Sequence, residues 1–345
     1  MSEVIDTGVE LRRVSAATPG LTSKRVPFTE IPVIDFSAMA GDDAEAQAEL
    51  SREIDVACTD VGFFYVSNHG VPAAVTEALF AASRWFFAQN LDTKLAIDIS
   101  RSSVNRGYIP MFGEKNNSKS QGDVKETFDM AIEIGPDDPD YLAGNPLYGP
   151  NQWPAGAPHF QEALNQFFKT ITGLSRRMYR AFALGLGLPE GHFLGMLDKP
   201  LDILRLLRYP PQPVVESEDR IGTGAHSDFD CFTLLYQDPT GGLQVLNGAG
   251  EWIDAPPIEN TFLVNVGDML ERWTNARYVS TVHRVINRSE GERFSCVFFA
   301  APSYSTVVEC LPGCCSADVP AKFPPIGAGD YIIERYNEIL VQGGR

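Results

Sequence analysis

Gly224-Ala225-His226-Ser227-Asp228-Phe229-Asp230-Cys231-Phe232-Thr233-Leu234-Leu235-Tyr236-Gln237-Asp238 is the stretch that decides how this chain reads. A glycine-led turn runs into β-branched, aromatic and aliphatic residues, and Asp238-Pro239-Thr240-Gly241-Gly242 ends the run. One strand is expected over 224–237. Side chains at i and i+2 of a strand share a face, so His226 and Asp228 should set an imidazole beside a carboxylate. That pair is two thirds of a metal site.

The chain has five histidines, so the search for the third ligand is short. His283 sits in Val279-Ser280-Thr281-Val282-His283-Arg284-Val285-Ile286, a second β-branched run far enough downstream to return through several strands. Two histidines and a carboxylate on one triangular face leave the opposite positions of an octahedral metal open, as non-heme Fe(II) oxygenases require. His69 ends a strand at Gly70 and reads as a turn histidine bonded locally. His159 and His192 flank helix ends and read as caps or surface residues.

Arg293-Phe294-Ser295-Cys296-Val297-Phe298-Phe299 is a further strand, with Arg293, Ser295, Val297 and Phe299 on one face. An inward arginine in an apolar strand needs a partner, because an unpaired buried charge is costly. A planar guanidinium with a hydroxyl two residues on makes a carboxylate clamp. Upstream, Ile203-Leu204-Arg205-Leu206-Leu207-Arg208-Tyr209 places Arg205, Leu207 and Tyr209 on one face, so Tyr209 can add a phenol to that clamp.

The His-x-Asp, distant His and Arg-x-Ser pattern resembles the 2-oxoglutarate/Fe(II)-dependent dioxygenases of the isopenicillin N synthase-like branch. Ile31-Pro32-Val33-Ile34-Asp35-Phe36 and Gly62-Phe63-Phe64-Tyr65-Val66-Ser67-Asn68-His69-Gly70-Val71 look like that branch's N-terminal region, so the likeness runs from about residue 30 to about 310. Within the branch, 203–299 looks most like thymine-hydroxylase-type enzymes. The resemblance implies Fe(II) on His226, Asp228 and His283. It implies 2-oxoglutarate with its far carboxylate on Arg293, Ser295 and Tyr209, and O2 as the second co-substrate. The reaction would release succinate and CO2 and oxidise a substrate C–H, with hydroxylation the default outcome. Phe229 and Phe299 can sandwich a flat substrate or simply pack in the core. Arg205 can hydrogen-bond that substrate or belong to a structural ion pair.

The pattern of elements agrees with the family fold. Helices are expected over about 42–58, 72–89 and 159–184, the last with Phe160, Leu164, Phe167, Phe168, Ile171, Leu174, Met178 and Phe182 on a broad apolar stripe. From Leu201 the chain turns to short strands over 201–209, 224–237, 242–246, 251–254, 261–266, 278–287 and 292–300. The fold class is therefore α+β with a mainly β core: a double-stranded β-helix, or jelly roll, with the N-terminal helices packed on one sheet. The expected divisions are a lead-in (1–28), an N-terminal region with substrate-lid loops (29–150), packing helices (151–200), the jelly-roll core (201–310) and a C-terminal loop and helix (311–345), all one globular unit. The loop-rich stretch over 100–150, including Phe112-Gly113-Glu114-Lys115-Asn116-Asn117 and Lys125-Glu126-Thr127-Phe128-Asp129-Met130, is either the lid or a solvated connection. The C-terminal helix either closes the barrel or makes a dimer contact.

Composition narrows the partners. A formal net charge of −17 argues against nucleic acid and anionic membrane surfaces. No apolar run approaches the ~20 residues that span a bilayer, and Met1-Ser2-Glu3-Val4-Ile5-Asp6 does not read as a signal peptide. Six scattered cysteines are not a disulfide framework, and Cys314-Cys315 lacks the further ligands of a zinc site. A monomer or homodimer in a reducing cytoplasm, acting on a small molecule, is expected. Three rivals remain at this level. An Fe(II) oxidase of the isopenicillin N synthase or ACC-oxidase kind would not use 2-oxoglutarate. A non-catalytic small-molecule binder would not need the intact triad. A zinc hydrolase would need a general base placed as in His-Glu-x-x-His, which is missing.

Overall fold

The computed structural model describes residues 29–114, 122–212 and 221–342. The expected lead-in over 1–28, and Lys115, Asn116 and Asn117 of the expected lid, lie outside the described residues. In chain order the elements are β1 (Val33–Asp35), α1 (Ala44–Asp60), β2 (Phe63–Ser67), α2 (Ala73–Phe87), α3 (Leu91–Leu95), β3 (Gly107–Ile109), β4 (Glu126–Ala131), α4 (Pro139–Leu142) and α5 (Pro158–Gly185). There follow β5 (Ile203–Tyr209), β6 (Thr223–His226), β7 (Phe232–Gln237), β8 (Leu243–Leu246), β9 (Trp252–Asp254), β10 (Phe262–Val266), α6 (Asp268–Trp273), β11 (His283–Val285), β12 (Arg293–Ala300), β13 (Val307–Val308), β14 (Ile326–Gly327) and α7 (Ala328–Gln342).

Eight strands make the larger sheet, in the order β1-β2-β10-β7-β12-β5-β4-β3, and four make the smaller one, β6-β11-β8-β9. Strand alternation sorts the larger sheet's side chains between two cores. Leu207, Tyr209, Leu235 and Leu263 join Leu243, Val245 and Val285 of the smaller sheet in a core between the sheets. Their sequence neighbours Leu206, Leu234 and Val264, with Phe298 of β12, point the other way, into a core shared with the helices. This is the double-stranded β-helix, with α1, α2 and α5 covering the outer face of the larger sheet.

Local chemistry accounts for the helices. The Asp43 carboxylate caps α1 by accepting hydrogen bonds from the Glu45 and Ala46 amides. Pro158 opens α5, where its missing N–H leaves nothing unsatisfied. Along α5, Phe160, Leu164, Phe167, Ile171, Leu174, Met178 and Phe182 are buried, and Phe168 packs edge-on against Phe298.

Two expectations are corrected. The stretch over 224–237 is two strands in two different sheets, β6 and β7, joined by a loop that contains Asp228. The segment Lys125-Glu126-Thr127-Phe128-Asp129-Met130, expected in a loop, mostly forms the buried strand β4, paired antiparallel with β5. Its alternating charges resemble a solvated connection, but Glu126 and Asp129 are buried in ion pairs. The smaller departures are at strand ends: 278–287 shortens to β11.

Candidate active site

His226 and His283 lie directly opposite one another on the antiparallel strands β6 and β11. Their ring centroids are 4.3 Å apart. Asp228 reaches them from the loop after β6. That loop is tied down by backbone hydrogen bonds from Gly267 to Cys231, from Asp268 to Asp228 and from Met269 to Phe229. The approach is close enough that a Cβ at position 267 would come within 2.1 Å of the Asp230 carbonyl oxygen, so only glycine fits. The Asp228 carboxylate atom Oδ1 lies 3.6 Å from His226 Nε2 and 3.7 Å from His283 Nε2.

The other atoms of these side chains are held by the protein. His226 Nδ1 sits 2.8 Å from the Gly224 carbonyl and His283 Nδ1 3.2 Å from that of Thr281, which leaves both Nε2 atoms as lone-pair donors. Asp228 Oδ2 accepts from Thr233 Oγ1 at 2.5 Å and from Asn265 Nδ2 at 2.8 Å, which leaves Oδ1 for a metal. Phe63 packs edge-on against His283. Burial, with His283 adding to it, pushes His226 down to about 4, so its imidazole is in the neutral, metal-binding form at neutral pH. Burial alone would raise the Asp228 carboxyl, but the adjacent imidazoles and the Thr233 and Asn265 hydrogen bonds hold it below its usual range. Two Nε2 atoms and one carboxylate oxygen, all within 4.8 Å of one another, fit a ferrous ion. They are the one such group among the described residues.

Arg293 opens β12 and is 1% exposed. Its Nε donates to the Gly241 carbonyl at 2.7 Å, Nη1 to Ser295 Oγ at 3.1 Å and Nη2 to Gln237 Oε1 at 3.0 Å. Its guanidinium stands 4.8 Å over the Tyr209 ring, and the Tyr209 hydroxyl is 3.2 Å from Thr223 Oγ1. Every one of these partners is neutral. A buried guanidinium with no carboxylate partner among the described residues suits an anionic ligand. That fits the far carboxylate of 2-oxoglutarate.

The triad, Arg293, Ser295, Tyr209, Phe229, Phe299 and Arg205 line one cavity of about 1210 Å³. Arg205 is heavily engaged there. Its Nε and Nη2 bond Asp129 at 2.8 and 2.6 Å, and Nη1 pairs with Glu114 at 2.9 Å, which is the structural ion pair that the sequence left open. The same guanidinium lies 5.9 Å over the Phe299 ring. Lys125 bonds Glu114 and Asp123. Burial raises the Glu114 carboxyl, but Arg205 and Lys125 outweigh it and hold that group at about 2. Asp230 also lines the cavity; burial, with Asp228 and Asp202 beside it, pushes its carboxyl up to about 8. Ile332, Tyr336 and Asn337 of α7 complete the wall, so the C-terminal helix closes the cavity.

Sequence reading missed Gln237, Thr233, Asn265 and Thr223. Thr233 and Asn265 are polar residues inside apolar strands, and that interruption was the available signal; Thr223 opens β6. Gln237 ends its strand and is found only through its cross-strand register with Ser295. His69 is bonded locally through Nδ1, which accepts from the Val71 amide, while its Nε2 is 3.2 Å from the carbonyl of Asn260, distant in the chain. All six cysteines are free.

Comparison with known proteins places this geometry in a family. Residues 31–156 match the family described as the non-haem dioxygenase in morphine synthesis N-terminal region, and residues 200–302 match the 2OG-Fe(II) oxygenase superfamily. The chain belongs to the 2OG-Fe(II) oxygenases and is a 2-oxoglutarate- and Fe(II)-dependent oxygenase acting on a small molecule. It is 37% identical to the 2-oxoglutarate-Fe(II) type oxidoreductase hxnY of Emericella nidulans, over 90% of each chain. It is also 37% identical to the homoarginine-6-hydroxylase 2-ODD-C23 of Glycine max, over 82% of this chain and 89% of that one. Among solved structures, Neurospora crassa T7H in complex with alpha-KG and thymine superposes with a TM-score of 0.79 at 32% identity, over 89% of this chain and 96% of that one. These relatives fit the 2-oxoglutarate reading and not the rivals. No described helix is long and apolar enough to cross a membrane.

Proposed function

We propose that His226, Asp228 and His283 bind the ferrous ion, that Arg293 with Ser295 and Tyr209 binds the far carboxylate of 2-oxoglutarate, and that Phe229, Phe299 and Arg205 border the seat of a small planar or heterocyclic substrate that is hydroxylated. The observation that carries this reading is the buried Arg293 guanidinium, which has neutral partners only among the described residues and shares a cavity with the triad. When bound, iron with 2-oxoglutarate and O2 supplies the oxidising chemistry, with release of succinate and CO2.

The protein's part is to orient and to exclude water. Thr233 and Asn265 fix which Asp228 oxygen faces the metal, and the Gly224 and Thr281 carbonyls fix which nitrogen of each histidine does. Gln237 and the Gly241 carbonyl hold the plane of the Arg293 guanidinium. Leu207, Leu235, Leu243 and Val285 line the cavity and keep that end of it dry. Arg205 uses some of its five N–H donors on Asp129 and Glu114 and keeps others for substrate. The known substrates of relatives support a small nitrogen-bearing molecule: T7H is solved with thymine, and another relative is named a homoarginine hydroxylase.

The net charge of −17 supports a small-molecule partner in place of nucleic acid. The free cysteines support a reducing, cytoplasmic setting. The chain acts as one unit, as a monomer or homodimer. Anaerobic titration of the Fe(II) protein with 2-oxoglutarate tests the core of the proposal. A visible metal-to-ligand charge-transfer band is expected in the native protein, with much weaker 2-oxoglutarate binding in Arg293→Ala. A band at undiminished affinity in Arg293→Ala would move the carboxylate seat elsewhere.

A further inference from the structure

The two histidines of the triad are not held alike. β11, which carries His283, runs inside the smaller sheet and is paired by β6 on one side and β8 on the other. β6, which carries His226, lies at the edge of that sheet, and its ladder with β11 is broken just before the ligand. Thr223 pairs with Val285 and His226 with His283, so Gly224 and Ala225 stand opposite Arg284 alone. A bulge of this kind re-aims the side chain beside it and leaves the local ladder incomplete. His226 is also the more exposed side chain, at 23% against 9% for His283. An iron ligand on a bulged edge strand needs a brace from outside the sheet to keep its ring in place.

Asp123 and Val124 form that brace. The Val124 amide donates to the Ile221 carbonyl at 3.0 Å, just ahead of β6. Asp123 Oδ1 accepts from the Gly224 amide at 3.2 Å, and the Gly224 carbonyl in turn holds His226 Nδ1 at 2.8 Å. Asp123 is 2% exposed, and its Oδ2 accepts from Lys125 Nζ at 3.0 Å. Lys125 also pairs with Glu114, and Glu114 with Arg205. A buried carboxylate thus stands between the substrate wall and the backbone residue that orients an iron ligand. We infer that Asp123 is a positioning residue for the iron site. It fixes the Gly224 backbone at the bulge, so that His226 keeps Nδ1 on the Gly224 carbonyl and turns Nε2 to the metal. Through Lys125 it also ties this ligand to the wall around Arg205. An ion-paired carboxylate makes a charge-assisted bond, which holds a backbone amide more firmly than a neutral acceptor does. The inference rests on the triad proposed above.

Anaerobic Fe(II) titration of the full chain, with and without saturating 2-oxoglutarate, tests this in two variants. Asp123→Leu removes both acceptor oxygens at similar volume, and Asp123→Asn leaves one oxygen for two donors. Iron affinity should fall by about 10–100-fold in Asp123→Leu, the usual effect of removing a group that orients a metal ligand, and by less in Asp123→Asn. With iron and 2-oxoglutarate saturating, the charge-transfer band should remain but shift in position. A residue that only stabilised the fold would lower the melting temperature and leave the folded protein's iron affinity and band at their native values. That outcome in Asp123→Leu, or in Asp123→Asn should the leucine variant not fold, would overturn the inference. Added to His226→Ala, Asp123→Leu should cost no further iron affinity, because it acts through that ring. A further loss of the same size would overturn the inference as well. Native protein that takes up no iron, or His226→Ala that binds it as tightly as native, would instead overturn the triad, and the inference with it.

Discussion

The two ends of the active-site cavity are built differently. At the metal end, every functional side chain stands on a β-helix strand or on a loop pinned to one, and its position follows from cross-strand register: His226 opposite His283, Arg293 opposite Tyr209, Ser295 opposite Gln237. At the outer end, the wall is assembled from Phe112, Gly113, Glu114, Gly122 and Lys125, from β4 and from α7, and is held by ion pairs among Glu114, Lys125, Asp129 and Arg205. The first arrangement fixes atoms through a rigid sheet. The second fixes charge through side chains that sequence change can replace singly. If the proposed seats are right, the difference assigns reaction class to the sheet and substrate choice to the wall.

The sharpest way to break that division is at the metal. His226→Ala and Asp228→Ala should each abolish turnover and weaken iron binding, read by succinate release and by metal content after dialysis. Retained turnover in both would refute the triad. Arg293→Ala comes next. Truncating one partner of a buried charge pair costs about 2–5 kcal/mol, so apparent 2-oxoglutarate affinity should fall by more than about tenfold. Arg293→Lys should recover only part of it, because an ammonium lacks the fork held between Gln237 and Ser295.

Changes to the wall should act on stability and substrate while the charge-transfer band survives. Arg205→Ala leaves Asp129 and Glu114 without their shared cation, a loss of about 3–5 kcal/mol when a buried pair is broken. Urea unfolding should show it, and a midpoint unchanged from native would mean that the wall does not depend on this pair. The pH dependence has a definite sign. Glu114 is held at about 2, below its unfolded value. Its contribution is therefore fully present above the unfolded pKa and is lost as pH falls through that value towards about 2. Glu114→Gln should flatten this acid limb; an acid limb identical to native would assign the loss to other carboxylates.

What the sequence made legible follows the same division. His226, Asp228, His283, Arg293 and Ser295 were readable because short spacings within β-branched runs place side chains on one face. The reasoning survived even where the element did not: Asp228 sits in a loop, not in one strand with His226, yet it still converges on the histidines because the 267–269 backbone pulls that loop back. The wall was less legible because its logic is pairwise and long-range. Glu126 and Asp129 look like solvent-facing charges until Lys94, Arg208 and Arg205 are seen opposite them. Nothing local in 125–130 announces a buried strand. The role of α7 depends on where the chain returns, which periodicity alone does not give.

Gln237 tests the boundary between the two kinds of information. It belongs to the sheet, yet it was invisible in the sequence because it ends an apolar strand and finds Arg293 only across β7 and β12. A neutral amide holding one face of a guanidinium contributes about 1 kcal/mol through its hydrogen bond, a few-fold in affinity. Gln237→Leu should therefore weaken 2-oxoglutarate binding by a few-fold and leave iron binding at its native level, both measured in the same anaerobic titration. A loss as large as that in Arg293→Ala would mean that Gln237 binds the co-substrate itself. No loss at all would mean that Gly241 and Ser295 suffice to orient the guanidinium, and that the carboxylate seat is built by β12 and the β7–β8 turn without a side chain from β7.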